Sequence, residues 1–377
     1  MIESPGLLLT VLAFALVIGP LVFVHELGHY LAGRLFGVKA EAFSIGFGRE
    51  IAGFTDRRGT RWKFGWLPLG GYVRFAGDMN PASQPEPGWI ALPPAERAQT
   101  FQAKPLWQRA IVVAAGPITN FLVAIVILGG FAAAFGEVRT PSTVGAVMPG
   151  TAAASAGLRP GDRIFAMGDR AVDDFGDMAQ FTAIRPGEVV TIRFERDGQP
   201  QAATVTIGSR SLKDRFGNVT HRGVLGIAPG APTVVPVPLW QAPWVGVRRT
   251  GEIVVMMVDG LGQMILGRVP VSELGGPLKI AQISGQMLSM GVFDFVGLIA
   301  LLSINLGFIN LLPVPVLDGG HLLFYAIEAV RRRPADPQMV EWAFRGGLIV
   351  ILALMLFVTF NDLGGLGVWK NIAGLIG

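Results

Sequence analysis

The chain has 377 residues, enough for two or three domains, but 51% of them are hydrophobic, only 15% are charged, and the mean hydropathy is +0.50. These proportions exclude an ordinary soluble multidomain protein and a disordered chain, and the absence of cysteine excludes a disulfide-stabilised secreted scaffold. The net charge of +4 does not indicate nucleic-acid binding, because excess Lys and Arg in a membrane protein more often orient loops toward the cytoplasm. We therefore predict an α-helical polytopic membrane protein, surrounded by lipid and without a nucleic-acid partner.

The first predicted element, residues 1–36, is a transmembrane helix. Its uncharged run from Leu7 to Val24 nearly crosses a hydrocarbon core of about 30 Å at a rise of about 1.5 Å per residue. A cleaved signal peptide is the alternative, but residues 1–6 contain no Lys or Arg, and the apolar run continues directly into His25.

The first span ends in the motif H-E-x-x-H, which covers His25, Glu26 and His29. Two histidines at i and i+4 share one helical face, a spacing that lets both bind one zinc, with Glu26 placed as a general base. The alternative is a pair of interfacial histidines among lipid headgroups, with Glu26 reaching toward water.

Residues 37–77 contain three short alternating runs separated by Gly and Pro, which predict membrane-associated β-hairpins on the cytoplasmic side. An exposed strand of such a sheet would hold a substrate in extended form by strand addition, whereas the alternative is a soluble hairpin without a substrate role. Residues 78–105 are rich in Pro, Ala and polar residues and predict a cytoplasmic linker with little regular structure.

Three further apolar runs predict spans at residues 106–136, 291–330 and 344–363, with a cytoplasmic turn at 331–343. Eleven Lys and Arg lie between Arg34 and Arg109, and four more arginines follow the third span, so both regions belong on the cytoplasmic side. The stretch between the second and third spans then lies outside the cytoplasm.

That outer stretch divides into two parts. Residues 144–229 predict a compact α+β domain of short strands, in which His221 is an ordinary surface residue. Residues 234–290 combine tryptophans, arginines and apolar runs in the pattern of helices lying at the outer membrane–water interface.

The third span is interrupted between Asn310 and His321 by two prolines and two glycines. Irregular backbone at membrane depth lines a cavity or lies buried in protein, and this break lies at the same depth as the first-span histidines because both spans run in the same direction. We predict Asp318 as the third ligand of one metal ion per chain. Asp318 as a helix N-cap is an alternative, His321 is a weaker ligand candidate, and the donor set also suits ferrous iron.

With these motifs the chain resembles the site-2 intramembrane metalloproteases, and among them the bacterial regulators of the sigma-E response. The resemblance rests on the H-E-L-G-H motif and on the segments Pro68–Val73, Ala115–Asn120 and Asn310–Gly320. It implies zinc held by His25, His29 and Asp318, Glu26 as general base, and Asn310 in contact with an unwound substrate. The substrate-binding strand would be Gly70, Gly71, Tyr72 and Val73.

The string A-G-L-x-x-G-D-x-I at residues 156–164 resembles the PDZ domains of bacterial proteases. Their carboxylate-binding loop resembles Gly223, Val224, Leu225 and Gly226, which implies capture of a peptide C-terminus, although a spacer domain is the alternative. Enterobacterial members carry two tandem PDZ domains, whereas this chain has room for one.

The leading hypothesis is an intramembrane zinc endopeptidase that cuts single-span membrane proteins, such as an anti-sigma factor or a signal-peptide remnant, after an earlier cut outside. A membrane-anchored PDZ adaptor with a vestigial metal site is the main alternative. A zinc transporter is less favoured, because its polar residues would be distributed along several spans.

Overall fold

The computed structural model describes residues 6–78, 88–213, 219–265 and 275–365. Parts of the predicted first span, linker, inserted domain and interfacial segment, namely residues 1–5, 79–87, 214–218 and 266–274, lie outside this description. The chain divides into two compact units: unit one comprises Met1–Gly129 and Pro243–Gly377, and unit two comprises Gly130–Ala242.

The helices in chain order are α1 (Leu7–Leu35), α2 (Pro94–Arg97), α3 (Leu106–Phe135), α4 (Ala152–Ser155), α5 (Phe175–Ala183), α6 (Ala242–Ile265), α7 (Pro277–Met290), α8 (Val292–Leu311), α9 (Asp318–Arg331) and α10 (Pro337–Gly365). The strands are β1 (Ala40–Thr55), β2 (Arg61–Phe75), β3 (Glu137–Arg139), β4 (Val144–Val147), β5 (Arg163–Met167), β6 (Arg170–Ala171), β7 (Val189–Arg196), β8 (Gln199–Thr206), β9 (Gly208–Lys213), β10 (Val219–Val224), β11 (Ile227–Pro229) and β12 (Thr233–Val235).

Four helices among the described residues are long and apolar enough to cross a membrane: α1, α3, α8 and most of α10. Their outward side chains are strongly exposed, for example Leu8 at 84%, Val126 at 72% and Leu356 at 73%. Apolar surface of this extent is stable when hydrocarbon covers it. The prediction of a polytopic α-helical membrane protein is confirmed.

The fourth apolar helix, α10, begins at Pro337, within the segment predicted as a turn. Its first turns carry charge, including an ion pair between Glu341 and Arg345, so hydropathy alone placed the start at residue 344. Proline at the first helical position is favourable because its missing N–H has no intrahelical acceptor there.

The β1–β2 hairpin curls back on itself. The first half of β1 pairs with two different parts of β2, one on each side. Ala42, for example, lies opposite Arg61 at the start of β2 and also opposite Arg74 near its end. The chain bends at Gly46 (φ +85°) and at Gly70 (φ +107°), where glycine meets no steric penalty. The last part of β2 therefore forms an edge, with no second strand neighbour among the described residues.

The segment predicted as a linker is partly ordered. A 3-10 turn covers Trp89–Ala91, and α2 follows it. Phe101 is only 1% exposed and stacks on Phe75 with ring centroids 5.6 Å apart. Residues 98–105 thus pack against the hairpin, because the single aromatic side chain of Phe101 enters the core formed by Tyr30 and its neighbours.

The backbone between α8 and α9 forms a tight connection. The residues from Leu312 to Leu317 turn back against the first turn of α9, where a side chain at Gly320 would lie 2.8 Å from the Cα of Pro315. Val316 in this connection has φ +87°, a strained conformation for a β-branched residue. The connection therefore holds a defined shape rather than forming a loose loop.

Unit two is an α+β fold. Its main sheet has the antiparallel order β6-β5-β7-β8, and two-stranded pairs join β4 to β11, β9 to β10 and β3 to β12. The core is formed by nearly fully buried side chains such as Ile164, Met167 and Ile192. This agrees with the predicted α+β class of the inserted domain.

The structure gives a physical reason for the aspartate in the string A-G-L-x-x-G-D-x-I, which is Asp162. The Asp162 carboxylate is 1% exposed and accepts hydrogen bonds from the Arg159 amide at 2.7 Å and from two guanidinium nitrogens of Arg196 at 2.8 Å. A buried carboxylate is stable only with such partners.

Candidate active site

Three donor atoms from two distant segments converge in unit one. The Nε2 atoms of His25 and His29 lie 3.3 Å apart, and Asp318 Oδ2 lies 3.3 Å from the first and 3.5 Å from the second. A tetrahedral zinc with ligands at about 2.0–2.2 Å places neighbouring ligand atoms about 3.3–3.6 Å apart. The triangle of donors therefore has the size of one face of a zinc coordination tetrahedron.

The environment of Asp318 also fits a metal ligand. Its Oδ2 atom is buried and makes no hydrogen bond with acceptable geometry to any described residue. Asp318 is the first residue of α9, the N-cap is Leu317, and no side chain caps this helix. The carboxylate is thus directed toward the two imidazoles rather than toward the helix terminus.

Helix α3 orients the His29 imidazole. Its Nδ1 lies 2.9 Å from the carbonyl oxygen of Val112 and donates to it, so Nε2 can present a lone pair toward Asp318. The same helix contacts His25 through Asn120, whose amide nitrogen lies 3.0 Å from His25 Nδ1.

Two glycines allow α1 and α3 to approach this closely. A side chain at Gly28, between the two histidines, would overlap Ala115 and Thr119. A side chain at Gly116 would overlap both imidazole rings. The contact between the helices therefore depends on the absence of side chains at these positions, a common feature of helix packing in membranes.

Glu26 faces a cavity of about 390 Å³ beside the three donors. The edge of β2 borders it: Val73 lines the same cavity as Glu26, and a Cβ atom at Gly71 would lie 3.1 Å from Glu26 Cγ. Every site residue predicted in unit one lines this cavity: His25, Glu26, His29, Gly70, Gly71, Tyr72, Val73, Asn310 and Asp318.

The comparison with protein families decides the class of protein. The pattern of peptidase family M50 matches residues 13–354. The chain belongs to peptidase family M50.

The names of individual relatives agree with the assignment of this chain to family M50. Metalloprotease MmpA of Caulobacter vibrioides is 37% identical over 395 residues, covering 98% of this chain and 99% of the relative. Atu1380 of Agrobacterium fabrum, named as a proposed zinc metalloprotease, is 44% identical over 361 residues, covering 94% and 96%. R01501 of Rhizobium meliloti, named in the same way, is 41% identical over 365 residues, covering 95% and 97%. The prediction of a site-2-type metalloprotease is confirmed.

One solved structure resembles unit two only weakly. The PDZ domain of the SdrC-like protein of Listeria monocytogenes covers 25% of this chain and 90% of that domain, at 18% identity and a TM-score of 0.19. This likeness is too low to support a conclusion.

Other side chains line the cavity of this M50 member without having been predicted. The apolar lining includes Val22, Phe47 and Leu306, and Val316 contributes from the strained connection. His321 also lines the cavity, but it is not one of the three convergent donors, and its ring packs on Phe344 with centroids 4.8 Å apart. Apolar lining residues carry no motif, so only the fold reveals them.

In unit two, the residues predicted to bind a peptide line a groove of about 540 Å³. Gly223 to Gly226 form one wall, and Phe175, Met178 and Thr182 of α5 form the other. Gly226 has φ +78°, and a side chain there would overlap Thr151. His221 pairs with Ser211 through the backbone of β10, and its side chain lies outside the described residues.

Proposed function

We propose that this metalloprotease is an intramembrane zinc endopeptidase in which His25, His29 and Asp318 hold one zinc ion and Glu26 acts as general base. The observation that supports this most directly is the triangle of donor atoms, with separations of 3.3–3.5 Å, beside a carboxylate in one cavity. Among the divalent metals that suit two histidines and one carboxylate, zinc agrees with the names of the curated relatives.

The residues of this site have separate roles. When bound, zinc would supply a Lewis acid that polarises the scissile carbonyl group and increases the acidity of water. Glu26 accepts a proton from the attacking water and delivers it to the leaving amine. The apolar lining, which includes Val22 and Leu306, keeps bulk water and lipid away from the charged groups.

The β2 edge supplies the means of presenting a substrate. A helical peptide bond is shielded by its own hydrogen bonds, so a transmembrane substrate has to become extended before it is cut. Gly71 to Val73 form an open edge beside Glu26, and an extended peptide could pair with it as an added strand. Asn310, at the end of α8, lines the same cavity and offers an amide to the unwound backbone.

We propose single-span membrane proteins as the substrate class, with an anti-sigma factor or a signal-peptide remnant as examples, in regulated intramembrane proteolysis. In the proposed topology the active site lies near the cytoplasmic side of the bacterial inner membrane and unit two lies in the periplasm. The basic residues between Arg34 and Arg109 support this orientation. The groove at Gly223–Gly226 would take a newly exposed peptide C-terminus after an outer cut.

The test is cleavage of a single-span substrate by the purified full-length protein, with bound metal quantified. Glu26→Gln should reduce the cleavage rate by about 100- to 10,000-fold, because a general base is lost, while one zinc per chain remains. Glu96→Gln, an exposed change on α2, is the matched control and should leave both quantities unchanged. Unchanged cleavage in Glu26→Gln, or no metal in any variant, would contradict the proposal and favour a PDZ adaptor with a vestigial site.

The same assay tests the earlier outer cut. A substrate shortened to a free C-terminus outside the membrane should be cut faster than the full-length form and faster than the shortened form with an amidated C-terminus. Equal rates for the free and amidated forms would remove the proposed role of the groove in binding the carboxylate.

A further inference from the structure

Asn120 is a buried polar residue that the proposed mechanism does not yet use. It lies in the Ala115–Asn120 segment of α3, is 0% exposed, and places its side-chain amide 3.0 Å from Nδ1 of His25. Ser303 of α8 donates a 2.7 Å hydrogen bond to its backbone carbonyl, which holds this part of α3 in place. The side-chain amide therefore has a fixed position behind the imidazole.

The chemistry of imidazole restricts what this amide can do. A neutral histidine that directs the Nε2 lone pair toward a metal carries its proton on Nδ1 and donates from there. The partner of His25 Nδ1 must then be an acceptor, which in asparagine is Oδ1. Oδ1 of Asn120 is buried without a hydrogen-bond partner among the described residues, and a half-turn of the amide exchanges its position with that of Nδ2.

We propose that Asn120 is a positioning residue whose amide oxygen accepts a hydrogen bond from His25 Nδ1. This bond holds the imidazole in the tautomer and orientation that direct Nε2 toward His29 and Asp318. The inference rests on the proposed function, because it requires His25 to be a metal ligand.

The pairing of His29 with Val112 provides an internal comparison. Both histidines of α1 meet a partner from α3 through Nδ1, at 2.9 Å for His29 and at 3.0 Å for His25. The partner of His29 is a backbone carbonyl, which no substitution removes. The partner of His25 is a side chain, so its contribution can be measured by mutation.

The experiment measures the zinc dissociation constant of the full-length protein in detergent by competition with a chromogenic chelator. Asn120→Leu preserves the size of the side chain but removes the acceptor, and it should weaken zinc binding by about 10- to 100-fold. Asn120→Asp keeps an acceptor oxygen and should stay within about threefold of the wild type. Ser303→Ala, which removes the neighbouring helix contact but not the acceptor, should also stay within about threefold.

The outcomes separate this inference from the proposed function. Wild-type affinity in Asn120→Leu overturns the positioning role, and so does an equal loss in Asn120→Asp or Ser303→Ala, because that pattern indicates helix packing alone. Stoichiometric zinc in the wild type that is lost in His25→Ala supports the metal site independently of Asn120. A wild-type protein that binds no zinc overturns both.

Discussion

Replacement of Gly116 by alanine tests whether the contact between α1 and α3 positions the proposed metal ligands. The added methyl group would overlap Nε2 of His29 most closely, and it would lie 2.6 Å from Cε1 of His29 and 2.9 Å from Cε1 of His25. An ordinary van der Waals contact begins near 3.4 Å, so the overlap with Nε2 requires the His29 ring to move by about 1 Å relative to α3. Metal–ligand distances tolerate only about 0.2 Å, so this displacement removes His29 from a productive position.

We expect Gly116→Ala to reduce substrate cleavage by about 100-fold or more, since a misplacement near 1 Å costs about that much, and to reduce bound zinc in parallel. Gly130→Ala is the matched control: it lies in the same helix, and an added methyl group there meets nothing within 4 Å. Both changes favour the helix intrinsically by about 1 kcal/mol, so loss of helical structure cannot explain a difference between them.

The assay is cleavage of the single-span substrate in detergent, with metal content measured on the same samples. If Gly116→Ala cleaves and binds zinc as well as Gly130→Ala, the close approach of the two helices does not position the ligands, and the geometric reasoning is refuted.

Two further predictions concern unit two and the topology. Burial acts to raise the pKa of Asp162, but hydrogen bonds from Arg196 and from the backbone of Arg159, with the charges of both arginines, hold that pKa below its ordinary value. This contribution to stability is therefore complete above about pH 4, the unfolded pKa, and is lost as the pH falls through the lower folded value. Arg196→Met should reduce it, because only the contribution of Arg159 remains. Hydrogen exchange of β5 and β7 in the full-length protein should accelerate in that variant at pH 7, because the carboxylate then keeps only its hydrogen bond from the Arg159 amide; unchanged exchange would refute the role of the pair. For the topology, the chain contains no cysteine, so single cysteines report sidedness: an impermeant maleimide should label Gly198→Cys in intact spheroplasts but Arg58→Cys only after lysis, and the reverse pattern would invert the orientation.

The parts of the site that depend on local spacing could be predicted from the sequence. His25, Glu26 and His29 follow from helical periodicity alone. Asp318 required two further arguments, the direction of the spans and the interruption of the third one by proline and glycine. The structure brings it within 3.5 Å of both histidines and supplies no capping bond, which removes the main competing interpretation.

Features that arise between segments could not be predicted in this way. The roles of Asn120 and Val112 depend on which face of α3 meets α1, and an apolar helix with little periodicity does not indicate its contact face. The pairing of β1 with two parts of β2 depends on bends at Gly46 and Gly70. The sequence does not specify that these glycines adopt a positive φ. The packing of Phe101 likewise depends on a distant partner, since the surrounding composition resembles a linker.

The order in which the proposed ligands are synthesised determines when the site is complete. Asp318 follows His29 by 289 residues, so at about 5–20 residues per second the third donor emerges about 15 to 60 s after the second. A chain made only as far as α3 already has both histidines, Glu26 and the β2 edge, but it lacks the carboxylate that closes the triangle. If the three donors hold the metal as proposed, a chain interrupted before Asp318 would lack one of the metal ligands and should not cleave a substrate.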